Sequence, residues 1–91
     1  MFTVFGFYKF QKINDLKKNQ KILSNLLINK NINGSIIISK EGLNGSISGM
    51  NKDIKTTIIR LKKILNIKEF DSVNNSISKF KPFHKPKVKI K

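Results

Sequence analysis

The chain has 91 residues, with 19 Lys/Arg against 5 Asp/Glu for a net charge of +14, one histidine and no cysteine. That size makes one small domain, which buries roughly 60–65% of its unfolded surface around a single modest core. Disulfides, thiolate metal sites and a cysteine nucleophile are excluded, and one histidine with five carboxylates argues against a metal cage built by protein alone.

Residues 2–10 are aromatic and β-prone, which predicts a strand. Both parities are apolar, with Phe2, Val4, Tyr8 and Phe10 on one side and Phe5 and Phe7 on the other, so a central strand covered on both faces is expected. Asn14-Asp15 offers an N-cap and a first-turn acid, and Leu16, Leu23, Leu26 and Leu27 follow helical spacing, predicting a helix over about 15–30. Asn33-Gly34 then opens a strand over 35–39. Next comes Lys40-Glu41-Gly42-Leu43-Asn44-Gly45-Ser46, where two glycines three apart and an Asn-Gly pair give a strong turn signal before a strand over 45–49. Asn51 is a candidate cap for a second helix, on which Ile54, Ile58, Leu61 and Leu65 form one apolar stripe. Asp53 near its start and Lys62, Lys63 and Lys68 near its end suit the helix dipole.

Val73 and Ile77 mark a fourth strand around 70–77. Residues 79–91 carry six lysines and no acid, and their end alternates Lys with apolar residues. Pro82 and Pro86 keep any strand there to positions after 86, and the last strand could be 70–77, 86–91 or both. The order β-α-β-β-α-β is that of a ferredoxin-like α+β sandwich, a four-stranded antiparallel sheet with two helices on one face. The expected organisation is a ferredoxin-like domain over 1–78 and a basic C-terminal strand or extension over 79–91.

No run approaches ~18 consecutive apolar residues, and Met1-Phe2-Thr3-Val4-Phe5 lacks the basic start of a secretory signal. A cytoplasmic protein with no membrane segment is therefore expected. AT-rich coding would account for abundant Lys, Ile and Asn, but not for 18 Lys beside 2 Glu. A field of that sign faces polyanions, nucleic acid first. Lys79, Lys81, Lys85, Lys87 and Lys89 are the candidate phosphate contacts, with His84 as a base or ribose contact. Engaging ~4–6 phosphates would give a log–log salt slope of roughly −3 to −5. The plainer readings are a solvated edge that blocks aggregation for the lysines, and a solvated histidine for His84.

At the glycine turn, the plain reading is a hairpin whose glycines supply positive φ, and the functional one is a shaped contact made by Glu41, Gly42, Asn44 and Gly45. Base stacking of the RNA-recognition-motif kind needs aromatics on the first and third strands, and the third has none. Acylphosphatase chemistry needs an arginine in a glycine loop after the first strand, and the one arginine, Arg60, lies in the second helix.

Tyr8-Lys9-Phe10, Glu41-Gly42-Leu43-Asn44-Gly45-Ser46 and the run Pro82-Phe83-His84-Lys85-Pro86-Lys87-Val88-Lys89-Ile90-Lys91 resemble, in order and spacing, the N-terminal domain of the rhodanese-related tRNA uridine(34) hydroxylases (TrhO). The resemblance covers essentially the whole chain. Pro86 departs from that pattern, locally. It implies cytoplasmic enzymes that use molecular oxygen to install 5-hydroxyuridine at the tRNA wobble position, with a following rhodanese domain whose active-loop cysteine is tied to activity. On that basis these residues hold no catalytic group, metal or cofactor, and their partners would be tRNA and the rhodanese domain. A self-associated copy is the other candidate cover for the second face of the aromatic strand. The alternatives are a stand-alone basic RNA-binding module and a structural protein-interaction domain.

Overall fold

A computed structural model describes all 91 residues. Strand β1 (Phe2–Phe10) leads to helix α1 (Leu16–Asn29), the hairpin strands β2 (Asn33–Ser39) and β3 (Gly42–Gly49), helix α2 (Asn51–Leu65), and strands β4 (Ser72–Ser78) and β5 (Pro86–Ile90). The sheet has five strands in the order β4-β1-β3-β2-β5. Four strands pair antiparallel as the sequence pattern requires, and the fifth adds parallel to β2, so the sheet is mixed rather than four-stranded and antiparallel. Both candidate last strands form, and they lie on opposite edges. Residues on either side of position 78 therefore share one sheet.

The pairings run without a bulge, so side-chain parity carries straight across the sheet. Phe5, Phe7, Ile36, Ile38, Leu43, Ile47 and Val88 face the helices and are buried with Leu23, Leu26 and Leu27 of α1 and Ile54, Leu61 and Leu65 of α2. Phe70, just before β4, completes this core, its ring 5.0 Å from that of Phe7 and 5.9 Å from that of Phe5. The Lys62 ammonium lies 5.1 Å from the centre of the Phe70 ring, a cation–π contact at the edge of the core.

Within these 91 residues β1 is covered on one face. Phe5 and Phe7 are buried under the helices, whereas Tyr8 and Phe10 on the other parity are exposed.

Two local expectations are corrected as well. Asp15 precedes α1 in the left-handed region (φ 49°) and caps no backbone N–H through its side chain. The second helix has Met50 at its N-cap, and Asn51 is its first residue, its Oδ1 accepting from Thr3 Oγ1 at 3.3 Å. Asp53 in its first turn and Lys62 and Lys63 in its last are as the dipole favours.

The predicted glycine turn is mostly strand. Lys40 and Glu41 alone form the hairpin tip, and Gly42 through Ser48 pair with both neighbours. Gly42 has φ +152°, and a Cβ there would run into the Lys9 carbonyl oxygen. Gly45 has no positive φ. Its missing side chain makes room instead: a Cβ would lie 2.7 Å from Phe7 Cζ and 2.8 Å from the Ser35 carbonyl oxygen.

The edges differ in how they are guarded. β5 carries Pro86, Lys87 and Lys89, the residue types that blunt an edge strand. β4, Ser-Val-Asn-Asn-Ser-Ile-Ser, has neither charge nor proline, and Val73 and Ile77 stand exposed on it.

Candidate nucleic-acid interface

The face away from the helices is built by the alternation opposite to the core residues. One row across all five strands reads Ser72, Tyr8, Asn44, Ile37, Lys89 from β4 to β5. The next reads Asn74, Gly6, Ser46, Ser35, Lys87. Phe10, Gly42 and Ser39 form a partial row at the hairpin end. Serine and asparagine make most of this floor, with aromatics on β1 and lysines on β5. Tyr8 and Phe10 lie edge to face with ring centres 4.9 Å apart, and Phe10 is 65% exposed.

Backbone contacts fix the hairpin tip at one end of this face. The Gln11 N–H donates to the Glu41 carbonyl at 3.0 Å, the Ile13 N–H to the Lys40 carbonyl at 3.3 Å, and the Glu41 N–H to Ser39 Oγ at 3.2 Å. The β1–α1 connection thus braces the tip, and Gln11 Nε2 in turn donates to the Leu65 carbonyl at 2.8 Å, tying it to α2. A shallow depression of about 650 Å³ opens here, and Tyr8, Phe10, Ile37, Glu41, Asn44 and Lys91 are among the residues that line it. Asp71 stands at the same end. Its carboxylate accepts the Phe10 N–H at 2.7 Å and lies 3.4 Å from Lys9 Nζ. The Phe10 N–H, with smaller help from Lys9, holds this carboxyl below its ordinary value of 3.8.

The ten sequence-derived positions do not form one patch. Lys79, Lys81, His84 and Lys85 are exposed on the connection between β4 and β5, which crosses from one edge of the sheet to the other at the end opposite the hairpin tip. The Gly34 N–H donates to the Lys85 carbonyl at 2.9 Å and anchors that crossing beside β2. Lys87 and Lys89 lie on the open face, in register with Ser35 and Ile37.

Glu41 is exposed at the tip and Asn44 on the open face, whereas Gly42 is buried and Gly45 faces the Phe7 ring. The two glycines serve packing. Tyr8, Phe10 and Ile37 on the open face were not among those ten positions. Parity places Tyr8 with Phe10, and within these residues both rings are exposed.

A five-stranded sheet of this order with two helices on one face defines an acylphosphatase-like member of the ferredoxin-like class. Solved structures of this shape include an acylphosphatase from Coxiella burnetii, at TM-score 0.70 and 10% identity over 97% of this chain and 93% of that one. Klebsiella pneumoniae BlrP1 matches at TM-score 0.71 and 13% identity over 99% of this chain and 24% of that one. At such identities the likeness is one of fold. The β1–α1 connection, residues 11–15, carries Lys12 and no arginine, and Arg60 is exposed on α2.

The chain belongs to the UPF0176 acylphosphatase-like domain family, whose profile matches residues 2–91. A relative from Pelagibacter ubique (strain HTCC1062), named tRNA uridine(34) hydroxylase, is 64% identical over all 91 residues. The chain spans 30% of that relative's length. Both findings agree with the resemblance drawn from Glu41–Ser46 and Pro82–Lys91. No helix is long and apolar enough to cross a membrane.

Proposed function

We propose that this chain is the tRNA-holding, N-terminal domain of a cytoplasmic tRNA uridine(34) hydroxylase, an oxygen-dependent enzyme whose chemistry is carried by a rhodanese domain outside these residues. The observation that carries this reading is the 64% identity across all 91 residues to a protein named for that activity. The +14 charge supports it, since a surface of that sign draws a polyanion and holds it through many weak phosphate contacts.

Lys79, Lys81, Lys85, Lys87 and Lys89 are the proposed phosphate contacts. His84, exposed among them, is the proposed base or ribose contact. Their split over the crossing segment and the open face lets them follow a backbone around one end of the sheet, instead of gripping it at one point. Glu41 and Asn44, on the braced tip and the adjoining strand, are placed to meet either the RNA or the catalytic domain. In this role the domain positions its substrate and reacts with nothing.

Binding of tRNA to the chain across a salt series tests the proposal. A log–log slope of roughly −3 to −5 is expected, and reversing Lys85, Lys87 and Lys89 to glutamate should make it shallower. Affinity that stays flat from low to moderate salt would refute the electrostatic role.

A further inference from the structure

We infer that the open sheet face takes an unpaired stretch of RNA, with Tyr8 and Phe10 as a stacking platform for one or two bases and the lysines of β5 on the phosphates. This rests on the RNA-holding role proposed above and says which part of an RNA is held, and where. Three features converge on it.

The two rings are exposed, neighbouring and on one strand, 4.9 Å apart, so that they form a step rather than a broad apolar surface. Around the step the floor is polar: Asn44 is level with Tyr8 on β3, and serines and asparagines fill most of the remaining positions. An obligate protein interface is more apolar than the surface at large, whereas this face has only Phe2, Val4, Tyr8, Phe10 and Ile37 as apolar strand positions. A base needs one flat apolar surface and hydrogen-bonding groups at its edge, and this face offers both.

Charge is the third feature. Lys87 and Lys89 both point to the open face, because Val88 between them is buried against the helices. From Tyr8 on β1 to Lys89 on β5 is three strand spacings, roughly 14 Å. A base stacked at one side can therefore be followed by phosphates at the other. No strand position on this face is a carboxylate. Asp71 and Glu41 stand at its hairpin end, and Asp71 is already engaged by the Phe10 N–H and Lys9.

Recognition-motif sheets place their aromatics on two neighbouring strands. Here both lie on β1, and the adjoining strand supplies Asn44 instead. That arrangement stacks fewer bases and adds an amide able to donate to and accept from a base edge.

The test is binding of a uridine heptamer, and of an RNA duplex of similar length, to the chain, followed by fluorescence anisotropy. Tyr8→Ala and Phe10→Ala should each weaken heptamer binding roughly 10-fold, within the range for losing one base–aromatic stack. Tyr8→Phe should retain it, because the π face remains. Duplex binding should change less than 2-fold with any of the three. The salt slope should stay constant in the alanine variants and fall by about 0.7 for each of Lys87→Gln and Lys89→Gln.

Melting temperatures of all variants identify any that misfold, and Tyr8→Trp, which enlarges the stacking surface and should tighten heptamer binding, gives a second readout. Alanine variants that bind the heptamer as well as the native chain overturn the inference, while salt-dependent tRNA binding would leave the broader reading standing. Absence of any salt-dependent RNA binding by the native chain overturns that broader reading and the inference with it. If the alanine variants leave RNA binding unchanged but shift the sedimentation coefficient, the face joins copies of the chain and the inference fails.

Discussion

Replacing Gly45 with alanine adds a single methyl group, and the structure shows what it would meet. An alanine Cβ would sit 2.7 Å from Phe7 Cζ, 3.1 Å from Phe7 Cε1 and 2.8 Å from the Ser35 carbonyl oxygen. The Phe7 ring cannot simply swing away, since it stacks on Phe5 at 5.7 Å and leans on Phe70 at 5.0 Å. The carbonyl belongs to the neighbouring strand and moves only with β2. Overpacking a tight core costs about 1–3 kcal/mol, and with both a ring and a backbone in the way we expect about 2 kcal/mol. At about 2.1 cal/mol/K per residue, a chain of this size has an unfolding entropy of roughly 190 cal/mol/K, so that cost lowers the melting temperature by roughly 10 °C. Thermal unfolding followed by circular dichroism reads it directly.

Phe7→Leu in the same chain removes part of the obstruction, and the double variant should be at least ~0.5 kcal/mol more stable than additivity allows. RNA affinity measured well below the transition should not change, because Gly45 faces the helices. A Gly45→Ala chain that melts within about 2 °C of the native one, with additive behaviour in the double variant, would overturn the packing account of this glycine.

Thr57 is fully buried on α2 and its hydroxyl has no hydrogen-bond partner. Thr57→Val should therefore stabilise the fold by about 1 kcal/mol in urea unfolding, the lower end of the cost of an unpaired buried polar group, and a destabilised variant would show that the hydroxyl is satisfied. Asp71 titrates below its ordinary value of 3.8, chiefly through the Phe10 N–H. A carboxyl lowered in this way contributes stability above its unfolded pKa and loses that contribution as pH falls through the folded value. The stability gap between the native chain and Asp71→Asn should thus be constant above about pH 5 and narrow below it. A gap unchanged into strong acid would refute the assignment.

Where hydrophobic period and chain direction speak together, the fold is legible in the sequence. The stripe Ile54, Ile58, Leu61, Leu65 gives α2, and the aromatic run gives β1 as a central strand. Asn44-Gly45 was misread because glycine has two uses, and a sequence does not say which is at work. One is a positive φ, the other is space for a neighbour, and at Gly45 it is space.

The partner of the last strand was illegible for another reason. Pairing β5 with β2 is a parallel contact about fifty residues away in sequence, with no hairpin to announce it. Of the candidate site, the lysines after 86 were legible as one alternating row, but their neighbours Tyr8, Phe10 and Ile37 were not. Nothing local in the sequence announces which strands adjoin, and only the sheet register shows that they share the open face with Lys87 and Lys89.

The unlike edges of the sheet bear on how copies of this domain stay apart. β5 carries its protection in its own residues, and the part due to its proline, which has no N–H to offer a ladder, persists in any solvent. β4 has only the charge of the whole molecule to keep another backbone from joining its free edge. Such repulsion reaches about 10 Å at 0.1 M salt and about 3 Å at 1 M. Anything that cancels the charge, whether concentrated salt or a saturating load of polyanion, also removes the guard from β4. The colloidal stability of the domain is thus tied to the same lysines that would hold RNA, and concentrated salt, which weakens an RNA complex, is also where pairing through β4 is least opposed.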